Sequence, residues 1–314
     1  MSEGWRALSL HAGLIAVLAL AGLLLPPYEH GVMARVLVLS VYAMGYNLAF
    51  GYTGLLSLGH AMFFAAGMYG LALPMQHLGF SLIPAFAVAL AAGALLSAAV
   101  GVLALRTSGV AFMIVTLMFA QAAYLGILLA GDWTRGDEGF TLPAAARQIA
   151  GIDLTTPAAR YGAALALFSA VLMAGLALVR RPFGRTLVAV RENEERARLL
   201  GYDTTRTKLA AVVLSGTVSA AAGAAYAALF GYAGASFAAV PWSILPLLWV
   251  LLGGAGTVIG PFLGTLFMTF LIDRISGVTS AYMLFAGLAL ILLTLFAPQG
   301  IAGEVRRRLW PRLP

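Results

Sequence analysis

The chain has 314 residues, of which 61% are hydrophobic and only 10% charged, and its mean hydropathy is +0.94. A water-soluble domain of this size could not cover its surface with polar groups at that composition, so the sequence predicts an all-α polytopic membrane protein. A net charge of +7 would suggest a nucleic-acid partner in a soluble chain, but here the distribution of charge among loops is the relevant test and no nucleic acid is called for.

A span needs roughly 20 apolar residues. The first runs over 7–25 and is read as a retained span, because no small-residue cleavage site follows it; Pro26, Pro27, Glu29 and His30 make the first turn. The second, 32–50, ends in the glycine-rich GYTG at 51–54, and the third, 55–73, is interrupted by Gly59, His60, Gly67 and Gly70. The fourth and fifth cover 82–105 and 110–130, with Gln121 near the middle of the fifth. A polar excursion over 131–160 follows, carrying Asp132, Asp137, Glu138 and Asp153, and then the sixth span, 161–179.

The stretch 184–208 is densely charged and must face water, since central Arg, Glu or Asp residues cost a few kcal/mol each in hydrocarbon. It reads as a short helix: Asn193 is a candidate N-cap, Glu194 and Glu195 occupy the first turn, and Gly201 follows the last helical residue. The pairs Glu192–Arg196 and Glu194–Arg198 have the spacing of a shared helix face. Beyond it lie a seventh span, 209–230, and an apolar region, 242–272, that as one helix would extend about 46 Å. Gly253, Gly254, Gly256, Gly260 and Pro261 break that region, giving either two short spans or a re-entrant pair of half-helices. A last span, 281–297, precedes a basic tail.

With the N-terminus cytoplasmic, Arg6, Arg106, eight cations from Arg180 to Lys208 and four in the tail place 14 of the 19 Lys and Arg inside, leaving Arg35, Arg135, Arg147, Arg160 and Arg274 outside. This is the positive-inside distribution. It predicts about ten transmembrane segments, both termini cytoplasmic, loop 180–208 inside and loop 131–160 outside.

Catalytic and metal chemistry find little support. There is no cysteine, no HExxH pair and no GxSxG, and the glycine-rich GGAGTVIG at 253–260 lacks the lysine–hydroxyl pair of a phosphate loop. No catalytic residue, metal ligand or cofactor site is therefore assigned to the chain. An ion-coupled transporter usually holds carboxylates at mid-membrane, whereas the polar candidates here are Asn47, His60 and Gln121. Ser57, His60 and Asn47 either line a pathway or are satisfied interior groups. Gly51, Gly54, Gly59, Gly67 and Gly70 favour close helix approach, while Gly253, Gly254 and Gly256 either shape broken backbone beside a route or serve packing alone.

Three blocks resemble the inner-membrane permeases of bacterial ABC importers for branched-chain amino acids, in particular the LivM-type subunit. They are GYTGLLSLGHAMFFAAGMYG at 51–70, with Met68 where alanine is usual, the stretch 184–227, and LLGGAGTVIGPFLGT at 251–265. Within the second, 195–201 is similar to the EAAxxxG cytoplasmic motif, with Arg196 in place of the first alanine and no downstream proline. The segment TRGDEGFTLP at 134–143 resembles the family's TGGxxGxxxxP loop, with Arg135 replacing glycine.

The resemblance implies one transmembrane permease domain over 1–314 and a multi-pass inner-membrane location. It implies that ATP and Mg are handled by two separate ABC ATPase subunits, against which Arg191, Glu192 and Glu195 make polar contacts, Ala197 packs closely and Gly201 ends the coupling helix. Further implied partners are a homologous LivH-type permease and a periplasmic amino-acid-binding protein, for which Thr134, Gly136, Asp137 and Gly139 are the docking candidates. Leucine, isoleucine and valine are the implied substrates; urea, short amides or other amino acids suit sister systems, and an ion-coupled secondary transporter is the alternative class.

Overall fold

Hydropathy and burial run against each other along this chain. A computed structural model describes residues 3–309 apart from 150, 278 and 280. The first helices are α1 (Glu3–Leu24), α2 (Pro27–Asn47) continued by a π-helical turn at Leu48–Tyr52, α3 (His60–His77), α4 (Leu82–Ala104) and α5 (Gly109–Leu129). After the short α6 (Gly131–Thr134) come α7 (Pro157–Arg180), α8 (Pro182–Glu192), α9 (Glu194–Leu199) and α10 (Thr204–Phe230). The chain continues through α11 (Val240–Gly253), α12 (Gly260–Ser276), α13 (Tyr282–Phe296) and α14 (Gly300–Leu309). Arg312 of the basic tail lies outside the described residues.

Among the described residues six helices are long and apolar enough to cross a membrane: α1, α2 with its π turn, α4, α5, α7 and α10. The most apolar, α1, α4, α5 and α7, at mean hydropathies of 2.1–2.3, are only 17–28% buried, whereas α2 (1.4) and α10 (1.6) are 83% and 61% buried. The reason is that lipid tails are as apolar as leucine. Outer helices therefore carry large aliphatic side chains toward lipid, and helices that touch only protein are free to carry small and polar residues. The remaining apolar helices α3, α11, α12 and α13 have 18, 14, 17 and 15 residues, each short of the roughly 30 Å of a hydrocarbon core at 1.5 Å per residue. Six long spans plus four shorter apolar helices thus stand where the sequence suggested about ten comparable segments.

The core forms where α2, α3, α4, α7 and α10 meet, and its largest fully buried side chains include Tyr42, Tyr46, Phe63, Phe64 and Phe168. Close approach rests on small residues of α10. A β-carbon at Gly67 would collide with the Ala220 carbonyl, and one at Gly223 with the Phe64 carbonyl. The described residues also include a little strand. β1 (Phe140–Thr141) pairs antiparallel with Tyr232–Ala233, and a hairpin joins β2 (Gln148–Ile149) to β3 (Ile152–Asp153).

Several boundaries differ from the sequence reading. Helices α2, α7 and α10 start at Pro27, Pro157 and Thr204, ahead of the apolar spans at 32, 161 and 209, so Glu29 and His30 belong to α2 rather than to a turn. The third helix starts at His60 rather than at 55, and the charged stretch divides at Asn193 into α8 and α9, so Glu192 and Arg196 do not share a helix. The region 242–272 breaks as anticipated, at 254–259, and its two halves pack on each other through Gly253 and Gly264, whose β-carbons would meet the Gly260 and Trp249 carbonyls. Replacing Gly223 with alanine is expected to separate α3 from α10 and cost about 1–3 kcal/mol, read as a lowered unfolding temperature in detergent; Gly126→Ala, with nothing near its β-carbon position, should leave it unchanged.

Candidate functional site

Two lengths of non-helical backbone lie within the bundle, and side chains supply the hydrogen bonds a helix would have made. The first is 53–59, between the π turn and α3, where Thr53, Ser57 and Gly59 are buried. The Leu58 N–H donates to Thr116 Oγ1 at 3.2 Å, the Gly59 N–H to Ser57 Oγ at 3.2 Å, and the Ala61 N–H at the start of α3 to Ser243 Oγ at 3.0 Å. The Ser57 carbonyl accepts from the Tyr46 hydroxyl at 3.0 Å. Hydroxyls from α2, α5 and α11 thus converge on one unwound turn.

The second length is 254–259, between α11 and α12. Gly254 has φ +117°, a backbone that L side chains avoid, and it turns the chain out of α11. Asn47, at the end of α2, spans the turn: its Nδ2 donates to the Thr257 carbonyl at 2.9 Å and its Oδ1 accepts from the Gly256 N–H at 3.0 Å. Thr257 Oγ1 donates to the Gly254 carbonyl at 2.7 Å and accepts from the Gly260 N–H at 3.1 Å. The two lengths meet through Arg191 of α8, whose guanidinium donates to the Gly51 carbonyl and lies beside Gly256 while the start of its side chain packs on Gly54. The charged loop is therefore anchored at the point where both helices are broken. Beside this anchor, Tyr52, Val188, Arg191, Glu192, Ala255 and Gln299 are among the residues lining a cleft of about 570 Å³.

His60 sits midway along the bundle, with Nε2 2.7 Å from Ser215 Oγ, and Ser215 donates to the Gly45 carbonyl at 2.5 Å. Since the serine spends its proton on Gly45, His60 donates through Nε2 and Nδ1 is left as a buried acceptor with no protein partner. The rings of Tyr46 and Phe63 enclose it at 4.6 and 5.4 Å, and the space beside it is about 10 Å³, room for no more than a water molecule. In this conformation Ser57 and His60 pack around that small space, while Asn47, besides bridging the 254–259 turn, lines an apolar pocket of about 180 Å³ between α2, α7 and α10. Gln121 is half-buried on α5 and makes no hydrogen bond to either group.

On the charged loop, the side chain of Asn193 caps α9 by accepting from the Arg196 N–H at 2.8 Å. The helix ends on Gly201, φ +88°, with the Gly201 N–H bonded to Arg198 and the Tyr202 N–H to Ala197, the paired bonds of a Schellman cap. Ala197 is buried, while Glu192 and Glu195 are exposed. Glu194 pairs with Arg198 at 3.2 Å and also reaches Lys208 of α10 at 2.7 Å. Burial alone would push its carboxyl up, but the hydrogen bond and charge of Lys208, a Thr204 hydrogen bond and the charge of Arg198 hold it below the usual glutamate value.

On the opposite loop, Asp137 is exposed, whereas Thr134 and Gly139 are buried. Thr134 spends its hydroxyl on the Ile127 and Ala130 carbonyls at 2.6 and 3.0 Å and accepts from the Gly136 N–H at 3.2 Å. A β-carbon at Gly139 would strike the Ala233 carbonyl. Of the four docking candidates, then, Thr134 and Gly139 serve the loop's own folding, Gly136 is half-buried and Asp137 alone presents an exposed side chain. Arg135 has φ +58°, which explains why the resembling pattern has glycine there.

Long apolar outer helices around a polar-bonded, twice-broken interior define a multi-pass membrane permease. The family described as branched-chain amino acid transport system / permease component matches residues 30–295, and the chain belongs to it. Members of this family are permease subunits of ABC transporters, which work with other subunits of those systems in the bacterial inner membrane. The chain is 29% identical over 295 residues to the high-affinity branched-chain amino acid transport system permease protein LivM of Salmonella typhimurium, covering 86% of this chain and 68% of that one. Identity to LivM of Escherichia coli is 27% over 297 residues, with the same coverage. The autoinducer 2 import system permease protein LsrC of an Enterobacter species is 33% identical over 201 residues, 61% of this chain and 55% of that one. No solved structure matches significantly.

Replacing Asn47 with alanine removes both of its bonds and should cost about 1–3 kcal/mol for each buried group left unpaired, measurable as a fall in unfolding temperature. A carboxyl held below its unfolded value gives stability that is complete above the ordinary glutamate range and is lost as pH falls through the depressed value. Acidification should therefore destabilise the wild type through Glu194, and Glu194→Gln should lower stability at neutral pH while flattening that dependence in thermal scans.

Proposed function

We propose that the chain is the LivM-type membrane subunit of an ATP-driven importer of branched-chain amino acids. It pairs with a homologous LivH-type permease, receives substrate from a periplasmic binding protein on the 131–160 side, and is driven by two ATPase subunits docking on the 180–208 side. In this reading the 180–208 side is cytoplasmic, as the distribution of cations favours, and ten helical segments cross or partly cross the membrane. ATP and Mg belong to the partner subunits. The substrate assignment follows the names of the LivM relatives, while the LsrC likeness keeps other small solutes as the second reading.

One observation carries the ATPase contact. Leu199 and Leu200 are 87% and 71% exposed, and Tyr202 is 47% exposed, on a charged loop with no place in lipid. They stand at the capped end of α9, beside exposed Glu195, and α9 is joined through α8 and Arg191 to the broken backbone of the interior. A partner that buries this apolar tip pulls, through α8, on a contact with the broken backbone. Movement of the bundle would follow from a rigid connection.

Burying each leucine contributes about 1.5–3 kcal/mol, so Leu199→Asp with Leu200→Asp should weaken ATPase docking by about a hundredfold or more. Pull-down of the tagged chain from native membranes checks this. The variant should remain inserted and keep its second permease but lose the ATPases and uptake; ATPases retained at wild-type levels would remove the docking assignment.

A further inference from the structure

Three arginines from three elements converge at the 131–160 end of the bundle with no carboxylate bonded to them. Arg35 lies over the Phe230 ring at 5.6 Å and Arg160 over the same ring at 5.4 Å. Arg147 packs its guanidinium against Gly231, the next residue, and donates to the Leu229 carbonyl at 3.4 Å. The charges of Arg147 and Arg35 both bear on Arg160. Among the described residues none of the three makes a salt bridge. The neighbouring acid, Asp153, feels the charge of Arg147 but makes no ion pair with it, its carboxylate being bonded to the Thr155 N–H and hydroxyl at 2.8 Å each.

Like charges gathered in this way repel unless an anion joins them. The protein satisfies only part of their donor capacity: Arg160 donates to the Thr155 carbonyl at 3.1 Å, and the Nε groups of Arg147 and Arg160 are buried without a partner. Arg35 is exposed on α2, nine residues into a helix long and apolar enough to span, and makes no hydrogen bond or ion pair among the described residues. An exposed arginine at such a position is costly in lipid and belongs at a wet cavity or a counter-ion. Three of the five cations on this cation-poor side are spent here. Arg274, by contrast, pairs with Glu29 at 3.5 Å.

We propose that Arg35, Arg147 and Arg160 form a carboxylate-recognition site at the outer mouth of the permease, which takes the carboxylate of a small solute with an apolar side chain. Guanidinium groups suit it because their paired N–H donors match the two oxygens of a carboxylate. The apolar part has aromatic surroundings: the Tyr226 ring lies tilted against Phe230 at 4.6 Å and Phe237 at 5.1 Å, and Phe237 reaches Trp242 at 4.6 Å. Lipid-binding basic patches cluster on the cation-rich cytoplasmic side, and this group lies on the other. The inference rests on the importer reading above and narrows it, because urea and simple amides lack the charge this site would hold.

The test uses the assembled importer in neutral phosphatidylcholine nanodiscs, where phenylglyoxal labels accessible arginines and mass spectrometry reads each site. L-leucine should slow labelling of Arg35 and Arg160 while leucinamide does not. Arg35→Gln should lower leucine uptake in proteoliposomes about tenfold, the worth of one charge-assisted bond, with ATPase stimulation by the loaded binding protein retained. Arg35→Gln carries the test if an Arg160 variant fails to assemble, since Arg35 has only a ring contact to lose. Equal protection by leucine and leucinamide, or none, overturns the site; so does protection that appears only with phosphatidylglycerol in the nanodisc. Loss of ATPase stimulation together with uptake would reassign the arginines to binding-protein docking and also overturn it. A wild-type complex that imports no amino acid at all defeats the importer reading instead, a result distinct from wild-type uptake in Arg35→Gln.

Discussion

Backbone N–H and C=O groups inside an apolar bundle must be paired, and the rest of this structure depends on how two unwound segments meet that requirement. At 53–59 and 254–259 the helical ladder stops within the protein, and Tyr46, Asn47, Ser57, Thr116, Ser243 and Thr257 replace it. These side chains come from α2 (Tyr46 and Asn47), α5, α11 and the broken turns themselves. Satisfying the backbone therefore also fixes how α2, α5, α11 and α12 sit relative to one another. That makes the broken segments sensitive to helix movement, since a shift of any neighbour unpairs a buried group at a cost of about 1–3 kcal/mol.

Arg191 gives this interior a connection to the water-facing loop. Its helix, α8, buries Gly184, Leu187 and Val190 at intervals of three residues and so lies firmly against the bundle. Its guanidinium reaches the Gly51 carbonyl, one turn beyond Asn47. Arg191 is exposed along with Glu192 and Glu195, but its guanidinium is in addition bonded to the interior. A force applied at α9 has a short path to both breaks through packed helix and one charged hydrogen bond.

Much of this was legible beforehand, and the failures have physical causes. Composition and glycine spacing were enough for the helical class, the break within 242–272, the Asn193 cap and the Gly201 stop, because each depends on local chemistry. The start of α3 was misplaced because 55–59 is as apolar as a helix. Its signal was Ser57 and Gly59 together with hydroxyls far away in sequence, Thr116 and Ser243, whose meaning appears only once the helices are packed. The role of Asn47 was hidden for the same reason, its partners being more than 200 residues distant. Hydropathy marked all six spans as apolar, yet the two least apolar, α2 and α10, are the most buried, as expected when lipid is the outer solvent.

Hydrogen exchange of the backbone amides tests the central claim most directly. If side chains do hold the unwound turns, the amides of Leu58, Gly59, Ala61, Gly256 and Gly260 exchange as slowly as those in the middle of α2 and α10, and Ser243→Ala speeds exchange at Ala61 first. Rapid exchange at these amides in the wild type, at the rate of the water-facing loop 180–208, would contradict it.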